Sequence, residues 1–209
     1  DPMDMKRKGA DGTRYPLNAV MWRTRLGMSR GASEKRSSVI AKKWKLMKSW
    51  LESKTDPGGK MGYQIETIRH DPGSEFLGAL KESVQDDHVH DTTGEVDRHS
   101  DNALVENRNG KLQTIATAMA VHAMGEHVDD YAEDVGCNLI AWANEIQNHL
   151  PITKEQKKMG TTPWQCQFNN EEAIYTAYGI EICPWGTLVY FHIKKKDRLG
   201  KLSERAHRG

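Results

Sequence analysis

Apolar periodicity switches between about two and about 3.6 residues along the first two-thirds of the chain, and that succession constrains the fold more than any single motif. Residues 15–25 (YPLNAVMWRTR) and 26–30 read as a pair of strands, and the opening DPMDM places Asp1, Met3 and Met5 on one face of a further strand. Residues 33–54 read as a helix with Ser33 as its N-cap, because Val39, Ile40, Trp44, Met47, Trp50 and Leu51 recur at helical spacing. The turn cluster TDPGGK ends it. YQIETIRH (63–70) alternates as a strand, and residues 74–85 begin a second helix. The polar stretch 86–101 holds His88-Val89-His90 as a short strand. Helical patterns follow over 102–123 and 131–150, the latter stopped by Pro151. Pro163 starts another short element, and CPWGTLVYFHIKKKDRLGK reads as a small β unit. Strand pairs, helix, strand, helix, strand and long helix give an α/β chain with one mixed sheet flanked by helices.

The 209 residues suffice for one domain with appendages. No run approaches the roughly 18 uninterrupted apolar residues of a spanning helix, and DPMDMKRKGADG carries no signal-peptide core, so no membrane partner is expected. Cys137, Cys166 and Cys183 form no CxxC pair, which argues against a disulfide scaffold and for a reducing, intracellular compartment. Beginning on Asp, the sequence is expected to be a segment of a longer polyprotein.

The formal charge of +1 conceals segregation. Arg23, Arg25, Arg30, Lys35, Lys42 and Lys45 belong to one basic block, and the tail after Phe191 is a second. Residues 86–106 between them are acidic. Basic blocks around a carboxylate-rich middle suit a protein that grips a polyanion while holding cations. Solvated surface with chance clustering is an equally open reading of the charges.

Three acids stand out by position. Asp71 follows the strand YQIETIRH at its C-terminal end, where α/β sheets collect active-site groups, and Glu106 falls in the first turns of the long helix. Asp1, or failing that Asp4, lies on the first strand. Three carboxylates from separate elements could share two divalent cations for in-line phosphoryl transfer, and oxygen ligands favour Mg²⁺ or Mn²⁺. By spacing alone, ordinary surface carboxylates remain the alternative.

The surrounding residues add a resemblance. IRHDPGSEFLGAL (68–80) resembles the segment around the second catalytic Asp of retroelement integrases, and NALVENRNGKL (102–112) resembles the helix around their catalytic Glu. Thr161-Thr162-Pro163-Trp164, after the basic turn KEQKK, looks like the Thr-Pro segment downstream of the core. LVYFHIKKKDRLGKLSERAHRG is similar to the segment that follows it in polyproteins. On these four ordered matches the chain is identified as similar to the integrase catalytic core of copia-type LTR retrotransposons.

That resemblance implies a ribonuclease H-like fold, with a mixed five-stranded sheet flanked by helices over residues 1–150 and a helical and β extension with a basic C-terminal segment over 151–209. It implies a D-D-E triad of Asp1, Asp71 and Glu106, which would be both catalytic and metal-binding. Asp1 is preferred to Asp4, whose side chain would face the opposite way. It further implies two Mg²⁺ or Mn²⁺ ions, and 3′-end processing and strand transfer of element DNA into target DNA. DNA contacts would come from Asn102, Arg108, Asn109, Lys194, Lys195, Lys196 and Arg198. A homo-oligomer is implied, acting in the nucleus by way of cytoplasmic particles, with no small-molecule substrate.

The sequence departs from the family in places. Trp22 stands where the family often has Asp, Ala103 replaces the Gly of a flexible Asn-Gly, and the family's Glu-Arg becomes Glu106-Asn107 with Arg moved to 108. No His-His-Cys-Cys zinc module is present in this sequence. These departures motivate a second reading, a decayed or domesticated domain that only binds DNA or protein. A ribonuclease H-type nuclease is a third. His88 and His90 could ligate a metal or simply belong to a strand and loop, and Trp44 and Trp50 read as core residues.

Overall fold

The computed structural model describes residues 4–5, 8–53, 64–70, 73–93, 103–125, 135–168, 190–192 and 206–208. Strand β1 (Tyr15–Val20) pairs antiparallel with β2 (Gly27–Ala32), in a register running from Tyr15 opposite Ala32 to Val20 opposite Gly27. Strand β1 stops well short of residue 25 and β2 runs two residues past residue 30, because residues 21–26 close the hairpin through Met21 N–H to the Leu26 carbonyl (2.8 Å).

Helix α1 (Ser37–Glu52) crosses this hairpin. Ile40, Ala41, Trp44, Met47 and Leu51 fall on one face of it and are buried against Leu17, Leu26 and Met28. Each fully buried aliphatic side chain there contributes about 1.5–3 kcal/mol. The helix does not start at Ser33. Arg36 occupies its N-cap with no side-chain cap. Ser37 instead donates its hydroxyl to the Leu77 carbonyl and accepts the Leu80 N–H (3.0 Å), tying α1 to the segment after β3.

Strand β3 (Thr67–His70) pairs in parallel with β4 (His90–Thr93), the two joined through a 3₁₀ turn at Ser74–Phe76 and helix α2 (Ala79–Asp86). Helix α3 (Ala103–Met124) packs on α4 (Gly136–Asn148) through Leu112, Ala116 and Ala120 against Leu139, Ile140 and Ala143. The basic turn expected at KEQKK is a helix, α5 (Lys154–Met159), capped by Thr153 and Gln156 and ended by Gly160 at φ 66°. Helix α6 (Pro163–Gln167) repeats the capping box with Thr162 and Gln165. Trp164 and Phe168 stack edge-on to Trp50, with centroids 6.2 Å apart, and so join the α1 core. Strands β5 (Tyr190–His192) and β6 (Ala206–Arg208) pair antiparallel near the end.

The single five-stranded sheet is not what the described residues form. They form three separate two-stranded sheets, β1–β2, β3–β4 and β5–β6. Of the expected first strand only Asp4 and Met5 are described, and Met5 N–H bonds the Arg14 carbonyl (3.1 Å). Between β1 and β3 lies a groove in place of a shared ladder.

Candidate active-site cleft

That groove is a cleft of about 700 Å³. Its floor includes Ile40, Trp44 and Met47 of α1, its walls include Asn18 of β1 and Ile68 of β3, and the first turns of α3 bring Glu106 and Asn109 to its edge. His70 closes β3 on the same cleft, its ring stacked on Phe76 (4.7 Å) and its Nε2 3.0 Å from Asp91 Oδ1.

The sequence places Glu106 in the first turn of α3, where the partial positive charge of the exposed N–H groups favours a carboxylate. Its side chain is exposed and makes no ion pair with a described residue. An oxygen donor of that kind, on the rim of a cleft, suits a hard divalent cation. Three residues on, Asn109 is half-buried and accepts a hydrogen bond from Asn18 Nδ2 (2.9 Å), which pins this face of α3 to β1.

Arg108 corrects the expectation drawn from sequence. It was expected to meet DNA, but it is 4% exposed and its guanidinium is engaged internally. Nε and Nη2 donate to Asn144 Oδ1 (2.9 and 2.7 Å), Nη2 also donates to Asn148 Oδ1 (2.9 Å), and Nη1 donates to the Arg25 carbonyl (2.9 Å). All these acceptors are neutral, and burial pushes the group down to about 10. Asn148 completes the node by bonding both backbone groups of Gly27, its Oδ1 accepting from N–H (2.8 Å) and its Nδ2 donating to the carbonyl (2.9 Å). The approach is so close that a Cβ on Gly27 would collide with the Arg108 guanidinium and the Asn144 carboxamide. Arg108 therefore locks the start of α3 to α4 and to the β1–β2 hairpin, and fixes the backbone that carries Glu106.

Of the other sequence-derived residues, Asp1, Asp71, Asn102, Lys194, Lys195, Lys196 and Arg198 lie outside the described residues. Asp71 is next in sequence to His70. Among the described residues no group of three or more His, Cys, Asp or Glu side chains gathers, His88 and His90 included. No described helix is long and apolar enough to cross a membrane.

No family model and no curated protein matches the sequence. Solved structures do. The catalytic core domain of HTLV-2 integrase, in complex with magnesium in a trimeric form, superposes with a TM-score of 0.53. The two sequences are 19% identical, and the match covers 79% of this chain and 90% of that one. A dimeric form of the same core gives 0.50, over 73% and 83% of the two chains. The chain has the fold of a retroviral integrase catalytic core. This integrase-core fold is of the ribonuclease H-like α/β type, and its coverage of the chain spans most of the length given.

Sequence reading missed two features of the site. The Arg108 node had no local signal, since Asn144 and Asn148 come from another helix. Trp22 was noticed only as a departure from a family pattern, yet it is 73% exposed and lines the cleft.

Proposed function

We propose that this chain is a metal-dependent polynucleotidyl transferase that processes and joins the 3′ ends of retrotransposon DNA into target DNA. The observation that carries the reading is the convergence of the C-terminal end of β3 and the exposed Glu106 of α3 on one cleft, in a chain with the integrase-core fold. Phosphoryl transfer needs carboxylates on separate rigid elements with little covalent chemistry from the protein. Asp71, directly after β3, and Glu106 would supply two of them, and Asp1 the third. Two Mg²⁺ or Mn²⁺ ions, when bound, would supply activation of the attacking hydroxyl and neutralisation of developing charge. The chain's own part is positioning. Asn109 and Arg108 hold the first turns of α3 on opposite supports, and the basic Lys194, Lys195, Lys196 and Arg198 would add salt-dependent affinity for DNA. Asn102 and Asn109 would approach the strand beside Glu106. A copia-type element as source, a homo-oligomeric assembly and action in the nucleus belong to the same proposal.

The test is a Mn²⁺-dependent reversal of strand transfer on branched DNA, with parent, Glu106→Gln and Asp71→Asn side by side. Joined product from the parent, and a loss of two or more orders of magnitude in both variants, is expected. Equal background in all three folded proteins would overturn the catalytic reading.

A further inference from the structure

The turn between β1 and β2 holds an indole in water on an unusually well-braced support. Trp22 is 73% exposed, more than the other large hydrophobic side chains of the described residues, and it lines the same cleft as Glu106 and Asn109. The Arg25 guanidinium lies over its ring, 5.2 Å from the centroid. Arg23 is exposed beside it, and residues 21–26 contain no acid.

An exposed aromatic on a mobile loop would call for no explanation. This one is not mobile in its connections. Arg25 N–H bonds the Met21 carbonyl (2.9 Å), and Arg25 adopts φ 65°, a left-handed conformation disfavoured for a residue with a Cβ. Side chains from three other elements then hold the turn. Gln156 of α5 donates to the Thr24 carbonyl (3.0 Å), Gln167 of α6 accepts from the Thr24 hydroxyl (2.7 Å), and Arg108 of α3 donates to the Arg25 carbonyl (2.9 Å). Strained backbone, overdetermined by its surroundings and ending in an exposed ring, is the pattern of a pre-organised contact site.

We propose that Trp22 and Arg25 form a stacking platform for an unpaired base at the end of a DNA strand seated in the cleft. The occupant follows from the chemistry. A π face accepts any nucleobase, and the cations beside it suit the phosphates on either side of that base. The inference rests on the reading of this chain as a DNA-joining protein and names the part of the substrate that meets the hairpin: the frayed end next to Glu106.

The experiment measures binding without metal, in EDTA, by fluorescence anisotropy. Two labelled DNAs are compared, a blunt duplex and the same duplex with a short single-stranded 3′ end, using parent, Trp22→Phe and Trp22→Ala. Because Trp22 is exposed, circular dichroism of the variants should match the parent. Expected is a loss of roughly 5- to 150-fold in affinity of Trp22→Ala for the frayed DNA, recovered largely by Trp22→Phe, with blunt-duplex affinity changed by less than about twofold. If the parent prefers neither DNA to background, the nucleic-acid reading itself falls. If the parent binds both and Trp22→Ala binds the frayed end as well as the parent does, the platform alone is overturned. Unchanged DNA binding together with loss of self-association in sedimentation velocity would overturn it in favour of a protein contact.

Discussion

Replacing Arg108 with Met tests whether the polar node between α3, α4 and the hairpin holds the molecule together. The substitution keeps an unbranched stem of similar length and removes the guanidinium. Asn148 Oδ1 would keep the Gly27 N–H, but Asn144 Oδ1 and the Arg25 carbonyl would lose the donors that now satisfy them. A buried acceptor left unpaired costs about 1–3 kcal/mol, so two cost about 2–6 kcal/mol. Part of this is offset, because a buried charge that depends on neutral partners no longer has to be desolvated. The net expectation is a loss of about 2–4 kcal/mol, read from urea unfolding followed by far-ultraviolet circular dichroism. The double variant Arg108→Met, Asn144→Leu removes one of the stranded acceptors together with its donor. It should recover at least about 1 kcal/mol of the loss. A single variant as stable as the parent, or a double variant weaker than the single, would refute this account of the node.

Gly27→Ala drives a methyl into the Arg108 guanidinium and the Asn144 carboxamide, so it should cost about 2–4 kcal/mol and lower the urea midpoint without changing helix content in the surviving folded fraction. Asp11 accepts the Thr13 hydroxyl (2.6 Å) and Thr13 N–H (2.9 Å), and the hydroxyl bond above all holds its carboxyl below the ordinary 3.8. The folded carboxylate binds its proton more weakly than the unfolded one. Its contribution is therefore complete above the ordinary carboxylate range and is lost as pH falls through the lowered folded value. Thermal melts of parent and Asp11→Asn should accordingly differ by a constant amount near neutrality and converge in acid.

The order of elements was legible in the sequence because it depends on periodicity, which is local. Ile40, Trp44, Met47 and Leu51 announce the buried face of α1, and all are buried. Helix ends were less legible. Ser33 looks like a cap, but the helix starts beyond it because Ser37 is drawn into bonds with Leu77 and Leu80, more than 40 positions away in one case. The boxes Thr153-x-x-Gln156 and Thr162-x-x-Gln165 did carry a readable signal, which the density of lysines in KEQKK obscured. Glu106 was singled out from its neighbours in sequence, and the first turn of α3 puts it on the edge of the cleft. Arg108 was not readable. A cation near an active-site acid reads as a phosphate contact, and its burial is decided by Asn144 and Asn148, which the linear pattern does not connect to it.

The bonds between Asn148 and Gly27 join residues 121 positions apart. Their effect on time differs from their effect on the native state. The residues of the β1–β2 hairpin are adjacent in sequence and emerge together, whereas the carboxamide that satisfies the backbone at Gly27 leaves the ribosome roughly 6–24 s later at ordinary rates of synthesis. Throughout that interval the nascent hairpin presents an open backbone position to any extended segment nearby. A chaperone that shields this stretch, or slow translation after it, should change the yield of soluble protein without changing the stability of the finished fold.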